Sequence, residues 1–191
     1  MENKETTNPY SKFSGRKLYA LGKEASEAGN SEEAKKFYQL AAEKGNADAM
    51  YALFLAYFNI DDVVQGGNNE IANEWLIKAA QKGNVKAMSS LAAYLGGGLG
   101  FRYNPWESTK WYLKAAKKGD VDSMEAVGFN YLFGVGTRPN EVKGLEWLKK
   151  AADQGSKEAI KQLARFYLEC TDDAERTEYW VQKAKKAKIK L

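Results

Sequence analysis

Few residues in this chain are equipped for chemistry. Among its 191 residues there is no histidine and one cysteine, Cys170. Ser-His-Asp and Cys-His catalysis, HExxH zinc sites, CxxC redox pairs and an intramolecular disulfide are therefore excluded. A thiol with no imidazole to deprotonate it is a poor nucleophile, so Cys170 reads as a small packed or half-exposed residue at the end of a helix. The carboxylate pairs Asp61-Asp62 and Asp172-Asp173 would suit acid–base or metal chemistry only if they converged on one point. Sequence neighbours rarely converge, and helix capping is the simpler role. Gly96-Gly97-Gly98-Leu99-Gly100 suggests a phosphate cradle, but Phe101 stands where GxGxxG needs its third glycine, and no Gly-Lys-Ser/Thr follows. Gly98 and Gly100 recur as Gly134 and Gly136, which points to a repeated turn. No catalytic, cofactor-binding or metal-binding residue is assigned, and the chain is expected not to be an enzyme.

Charge narrows the partners. The formal net charge is +4, and five lysines crowd the last nine residues: Lys183, Lys185, Lys186, Lys188 and Lys190. Without them the chain would carry −1, so its body is near neutral. A nucleic-acid binder spreads its cations along a face, whereas lysines at the end of a last helix complement its dipole. No nucleic-acid partner is expected. The first nine residues are polar, without the apolar stretch of a secretory signal. The longest apolar run, Ala49 to Phe58, has ten residues, and a membrane span needs about 20. A cytoplasmic location is the expectation.

The elements that must position any site announce themselves by repetition. Phe37, Trp75, Trp111, Trp147 and Trp180 each lead a similar segment, at spacings of 38, 36, 36 and 33 residues. Four residues after each comes an alanine: Ala41, Ala79, Ala115, Ala151 and Ala184. Residues four apart share a helical face, and large beside small lets helices interlock. Three residues before each aromatic lies a small residue, Ala34, Ala72, Ser108, Gly144 or Thr177. Gly45, Gly83, Gly119 and Gly155 fit the left-handed position that ends a helix. Asn46, Asn84, Asp120 and Ser156, directly after them, suit the N-cap of the next. The other helix of each pair carries a stripe built on Leu53, Leu91, Val127 and Leu163. Asn104-Pro105-Trp106-Glu107 supplies an N-cap, a first-turn proline and an acidic third position. About five helix pairs follow, none able to bury a core alone, giving an all-α right-handed α-α superhelix, or solenoid. The expected layout is a polar segment over 1–15, one repeat domain over 16–185 and a Lys-rich tail over 186–191.

The stretch from Tyr131 to Ala159 carries a resemblance: Tyr131, Gly134, Gly136, Trp147, Lys150-Ala151-Ala152, Gly155 and Ala159 fall on the pattern YxxGxGVxxDxxxAxxWxxKAAxxGxxxA, with Pro139-Asn140 where its aspartate stands. It resembles the Sel-one-like repeats, which are related to tetratricopeptide repeats. The third copy, through Leu95 to Gly100 and Trp111 to Gly119, is similar. The first copy lacks the GxG turn, and the second replaces it with Asn59 to Asn68. The resemblance implies an adaptor or scaffold that binds proteins, with bacterial members in signalling, host interaction and toxin neutralisation. It implies no reaction.

In such stacks the first helix of each pair lines the concave face. With the leucine column turned inward, residues two before it, two after it and five to six after it face the groove. These are Tyr51, Leu55, Phe58 and Asn59 in the second repeat and Glu125, Phe129, Leu132 and Phe133 in the fourth. The third offers only small residues: Ser89, Ala93, Gly96 and Gly97. The fifth is charged, with Glu158, Lys161, Arg165 and Glu169 around Leu168. Either these aromatics form a groove for another polypeptide, or they pack against a neighbouring helix. Trp106, outside the repeat column, is either an exposed hot spot or a local staple. The expected function is a non-catalytic protein–protein interaction module, a monomer or weak homodimer that holds its partner in the groove. The alternative is a bacterial immunity or regulatory protein that neutralises a toxin or enzyme by direct binding.

Overall fold

The computed structural model describes residues 9–60 and 69–191. Among the described residues every regular element is a helix. They are α1 (Gly15–Glu27), α2 (Ser31–Glu43), α3 (Ala47–Tyr57), α4 (Glu70–Gln81) and α5 (Val85–Gly97), followed by α6 (Pro105–Lys117), α7 (Val121–Phe133), α8 (Glu141–Asp153), α9 (Lys157–Cys170) and α10 (Ala174–Lys186). None of these helices is long and apolar enough to cross a membrane.

The repeated glycine and cap residues do what their spacing predicts. Gly45, Gly83, Gly119 and Gly155 all have positive φ. The Gly45 amide donates to the Ala42 carbonyl at 2.8 Å and the Asn46 amide to that of Ala41 at 3.1 Å, which closes α2. The next side chain then caps the following helix. Asn46 accepts from the Ala49 amide at 2.8 Å, Asn84 from Ala87 at 2.7 Å, Asp120 from Ser123 at 3.0 Å and Ser156 from Ala159 at 2.9 Å. Asn104 likewise accepts from the Glu107 amide at 3.1 Å, with Pro105 first in α6. The degenerate last copy reaches the same closure without glycine. Lys188, at φ 57°, donates to Lys185, and Ile189 donates to Ala184.

The chain forms two compact units, divided inside α5 between Ala87 and Met88. In the N-terminal unit α1 packs on α2, α2 on α3 and α3 on α4. Its core holds Leu18, Phe37, Leu53, Phe54 and Leu76. In the C-terminal unit α6 packs on α7, α7 on α8, α8 on α9 and α9 on α10. Val127, Leu148, Leu163, Tyr167 and Trp180 form that core. Burying each such side chain contributes about 2 kcal/mol before chain entropy is counted. All five alanines of the repeat column are 0% exposed. Trp75 and Trp147 are only half-buried, and each is covered by the lysine three residues on, at 4.7 Å and 4.4 Å. Two crossings are tight: α1 on α2, where a Cβ on Gly22 would meet the Tyr38 ring at 2.6 Å, and α7 on α8. A Cβ on Gly128 would meet Leu148 at 2.7 Å, and one on Gly144 would meet Leu132 at 2.7 Å.

Candidate functional site

The surface that stands out lies on α7. Val127 turns into the core, so Phe129 and Phe133, two and six residues later, point away from it. Both stay exposed, at 43% and 66%, and their rings lie 4.6 Å apart. With half-buried Leu132 and Phe166 they line a cavity of about 460 Å³. Arg165 of α9 lines it too. Of the residues that the column reading assigns to a groove in this unit, Phe129, Leu132, Phe133, Arg165, Glu158 and Glu169 line this concavity, whereas Glu125 lines a neighbouring one and Lys161 and Leu168 a third. A neighbouring cavity of about 390 Å³ shares Phe129 and Gln162 and is floored by the small residues Ala93 and Gly96.

The end of α7 is held by its turn. Gly134 takes the left-handed conformation, and the Val135 amide donates to Asn130 at 3.0 Å. Asn130 Nδ2 donates to Thr109 Oγ1 at 2.8 Å, and Thr109 Oγ1 donates to the Val135 carbonyl at 3.1 Å. Asn130 and Thr109 are buried, so each polar group needs this partner. Gly136 presses on the start of α6: a Cβ there would lie 1.9 Å from the Pro105 carbonyl oxygen. The same frame appears one repeat earlier, where Leu99 donates to Tyr94 and Asn104 to Leu95, as Asn140 does to Tyr131. The glycines at 96–100 therefore build a repeat turn.

In the N-terminal unit the corresponding residues are placed differently. Tyr51 and Phe58 are half-buried, with rings 5.6 Å and 5.1 Å from that of the core residue Phe54. Leu55 is 57% exposed. Asn59 is exposed, but its backbone is bracketed by buried Asn69, which accepts from the Asn59 amide at 3.3 Å and donates to its carbonyl at 2.9 Å. Trp106, second in α6, is 58% exposed. Cys170 is exposed at the end of α9 and lines the larger cavity. Asp173 caps α10, accepting from the Arg176 amide at 3.0 Å, and Asp61 and Asp62 lie outside the described residues.

The electrostatics of the face centre on α7 and the start of α9. The Ser156 hydroxyl donates to Glu125 while accepting from the Ala159 amide. Burial pushes the Glu125 carboxyl above the ordinary glutamate value; the Ser156 bond pulls the other way, and the charges of Asp122 and Glu158 add to the rise. Burial likewise raises the Tyr112 phenol, with Asp120 adding to it. The column reading misses Asp122, Glu141, Gln162 and Phe166. Continuing the stripe one turn back, five residues before Val127, reaches Asp122. Glu141 and Phe166 come from other positions and carry no such signal.

The Sel1 repeat model matches residues 15–46, 47–84, 85–120 and 121–156. The chain belongs to the Sel1 repeat family. Sel1 repeats are protein-interaction modules, and α9 with α10 forms a further helix pair beyond the matched residues. Among solved structures, the chain is similar to a protective antigen with an SLR fold present in uropathogenic Escherichia coli strains. The identity is 25% and the TM-score 0.75, over 91% of this chain and 38% of that one. It is similar to a Sel1 repeat protein from Oxalobacter formigenes at 24% identity and TM-score 0.71, over 80% and 45%. An immunity protein from Pseudomonas aeruginosa shares the fold at 16% identity and TM-score 0.53, over 90% and 67%. The chain thus spans less than half the length of the first two. No curated protein matches the sequence.

Proposed function

We propose that this Sel1 repeat protein is a non-catalytic binding module that takes a segment of a partner polypeptide at the cavity lined by α7 and α9. One observation carries the reading: Phe129 and Phe133 lie in ring contact, tilted by 46°, both exposed beside an apolar concavity. Large aromatics left in water beside a pocket favour binding, because covering them removes apolar surface from solvent at little ordering cost on a rigid helix. Leu132 and Arg165 complete the contact; Tyr51, Leu55, Phe58 and Asn59 are proposed as a separate contact surface of the N-terminal unit, and exposed Trp106 as an anchor of its own. The test is to isolate partners from the native host and measure their affinity for the chain and for a Phe129→Glu/Phe133→Glu variant. A loss of about 100-fold is expected; undiminished affinity in a folded variant overturns the reading.

A second reading is the neutralisation of a toxin or enzyme by direct binding. It draws on the shared fold of the Pseudomonas aeruginosa immunity protein. A recovered partner whose activity the chain abolishes at equimolar ratio supports it; one whose activity is untouched removes it.

A further inference from the structure

The face just described is acidic, although the chain as a whole carries +4. Asp122 and Glu125 line the smaller cavity, Glu141, Glu158 and Glu169 the larger, and the sole lining cation is Arg165. Arg165 is itself committed to Glu169 at 3.4 Å. Asp122, Glu141 and Glu158 make no ion pair among the described residues. Glu158 receives only a long 3.4 Å bond from Gln162. Lys161 and Lys190 line another cavity, beside Leu168, which shares Arg165 and Glu169 with the larger one and leaves Asp122, Glu141 and Glu158 outside it. Glu141 and Glu158 thus border the cavity lined by Phe129, Leu132 and Phe133, and Asp122 borders the adjoining cavity that shares Phe129; each stands in the first turn of its helix and has no ion-pair partner among the described residues.

Resting on the binding role proposed above, we propose that this face takes a cationic amphipathic helix: apolar residues at i, i+3, i+4 and i+7 over Phe129, Leu132 and Phe133, with lysines or arginines flanking them against Asp122, Glu141 and Glu158. Three unpaired carboxylates around an apolar floor repel an acidic helix and leave a neutral one with no gain at the rim. A cationic helix neutralises them without burying a charge, because the rim stays wet. Apolar spacing on one face of a helix is the recognition mode that suits a shallow groove between two helices.

The test uses the full chain and a display library of peptides about 16 residues long, with apolar residues fixed at the four anchor positions and Lys or Glu drawn equally elsewhere. Enriched peptides are expected to be cationic. Their affinity should fall about tenfold on an Asp122→Asn/Glu141→Gln/Glu158→Gln variant and by a similar factor between about 50 and 300 mM salt. It should vanish on Phe129→Glu/Phe133→Glu, with circular dichroism confirming that both variants fold. Neutral or acidic winners, no enrichment at all, or cationic winners indifferent to the triple variant overturn the charge inference. If such peptides still need Phe129 and Phe133, the groove reading survives. Peptides indifferent to both sets of substitutions overturn the two together.

Discussion

The outward columns of α3 and α7 occupy the same positions of the repeat and finish differently. Leu53 and Val127 are equivalent, so Tyr51 pairs with Glu125, Leu55 with Phe129, Phe58 with Leu132 and Asn59 with Phe133. α3 stops at Tyr57; Phe58 has extended backbone, and its ring lies against Phe54. α7 runs two residues beyond the equivalent point, because Gly134 accepts the left-handed cap and the turn after it is bonded to Thr109. That extension sets Phe133 one turn above Phe129 on one face. A glycine in the turn thus decides whether the end of the column displays an aromatic pair or folds back on its own core.

The largest expected effect lies at the turn after α7. Gly136→Ala should cost about 3 kcal/mol or more in urea denaturation, because the methyl collides with the Pro105 carbonyl and φ is 59°. Gly98→Ala, whose methyl would meet Tyr103 Cβ at 3.5 Å, should cost about 1 kcal/mol. Equal costs would show that close approach does not hold the end of α7. Next in size is partner binding. Phe129→Glu/Phe133→Glu should lower affinity by about 100-fold, close to 2.7 kcal/mol, while Leu55→Glu should lower it by less than about tenfold. The reverse ranking in calorimetry would move the binding face to the N-terminal unit.

Smaller effects test the same logic. Lys188 stands where the other copies have glycine, at φ 57°. Lys188→Gly should therefore raise stability by about 1 kcal/mol, and an unchanged or lower midpoint would mean the closure is not strained. The smallest effect concerns Glu125, where the N-terminal unit has Tyr51. Its carboxyl is raised in the fold, chiefly by burial, so the folded chain holds the proton more tightly than the unfolded chain does. Stability from this group is present at low pH and is lost as pH rises from the ordinary glutamate value of 4.5 through the raised one. Glu125→Gln should flatten that part of the pH–stability curve. A wild-type curve as flat as the variant's would show that Glu125 does not titrate abnormally.

Several features were legible because their causes are local. The glycine that ends a helix, the Asn, Asp or Ser that starts the next, and the leucine and alanine columns all follow from geometry within one or two turns. The repeat then multiplied each signal four or five times. Even Lys188 obeys the local rule, since its position eight residues after Trp180 matches that of Gly155 after Trp147.

What the chain alone determined, then, is an all-helical Sel1 repeat protein with its inward and outward faces marked residue by residue. Only the packed structure decided which outward residues gather at one cavity. Exposure of Phe133, half-burial of Phe58, the contact of Gly136 with Pro105 and the gathering of Glu141 and Glu158 around Phe129 each depend on where a different helix lies. Helical periodicity specifies direction around one axis; distances between axes come from side chains that meet only after the helices have docked.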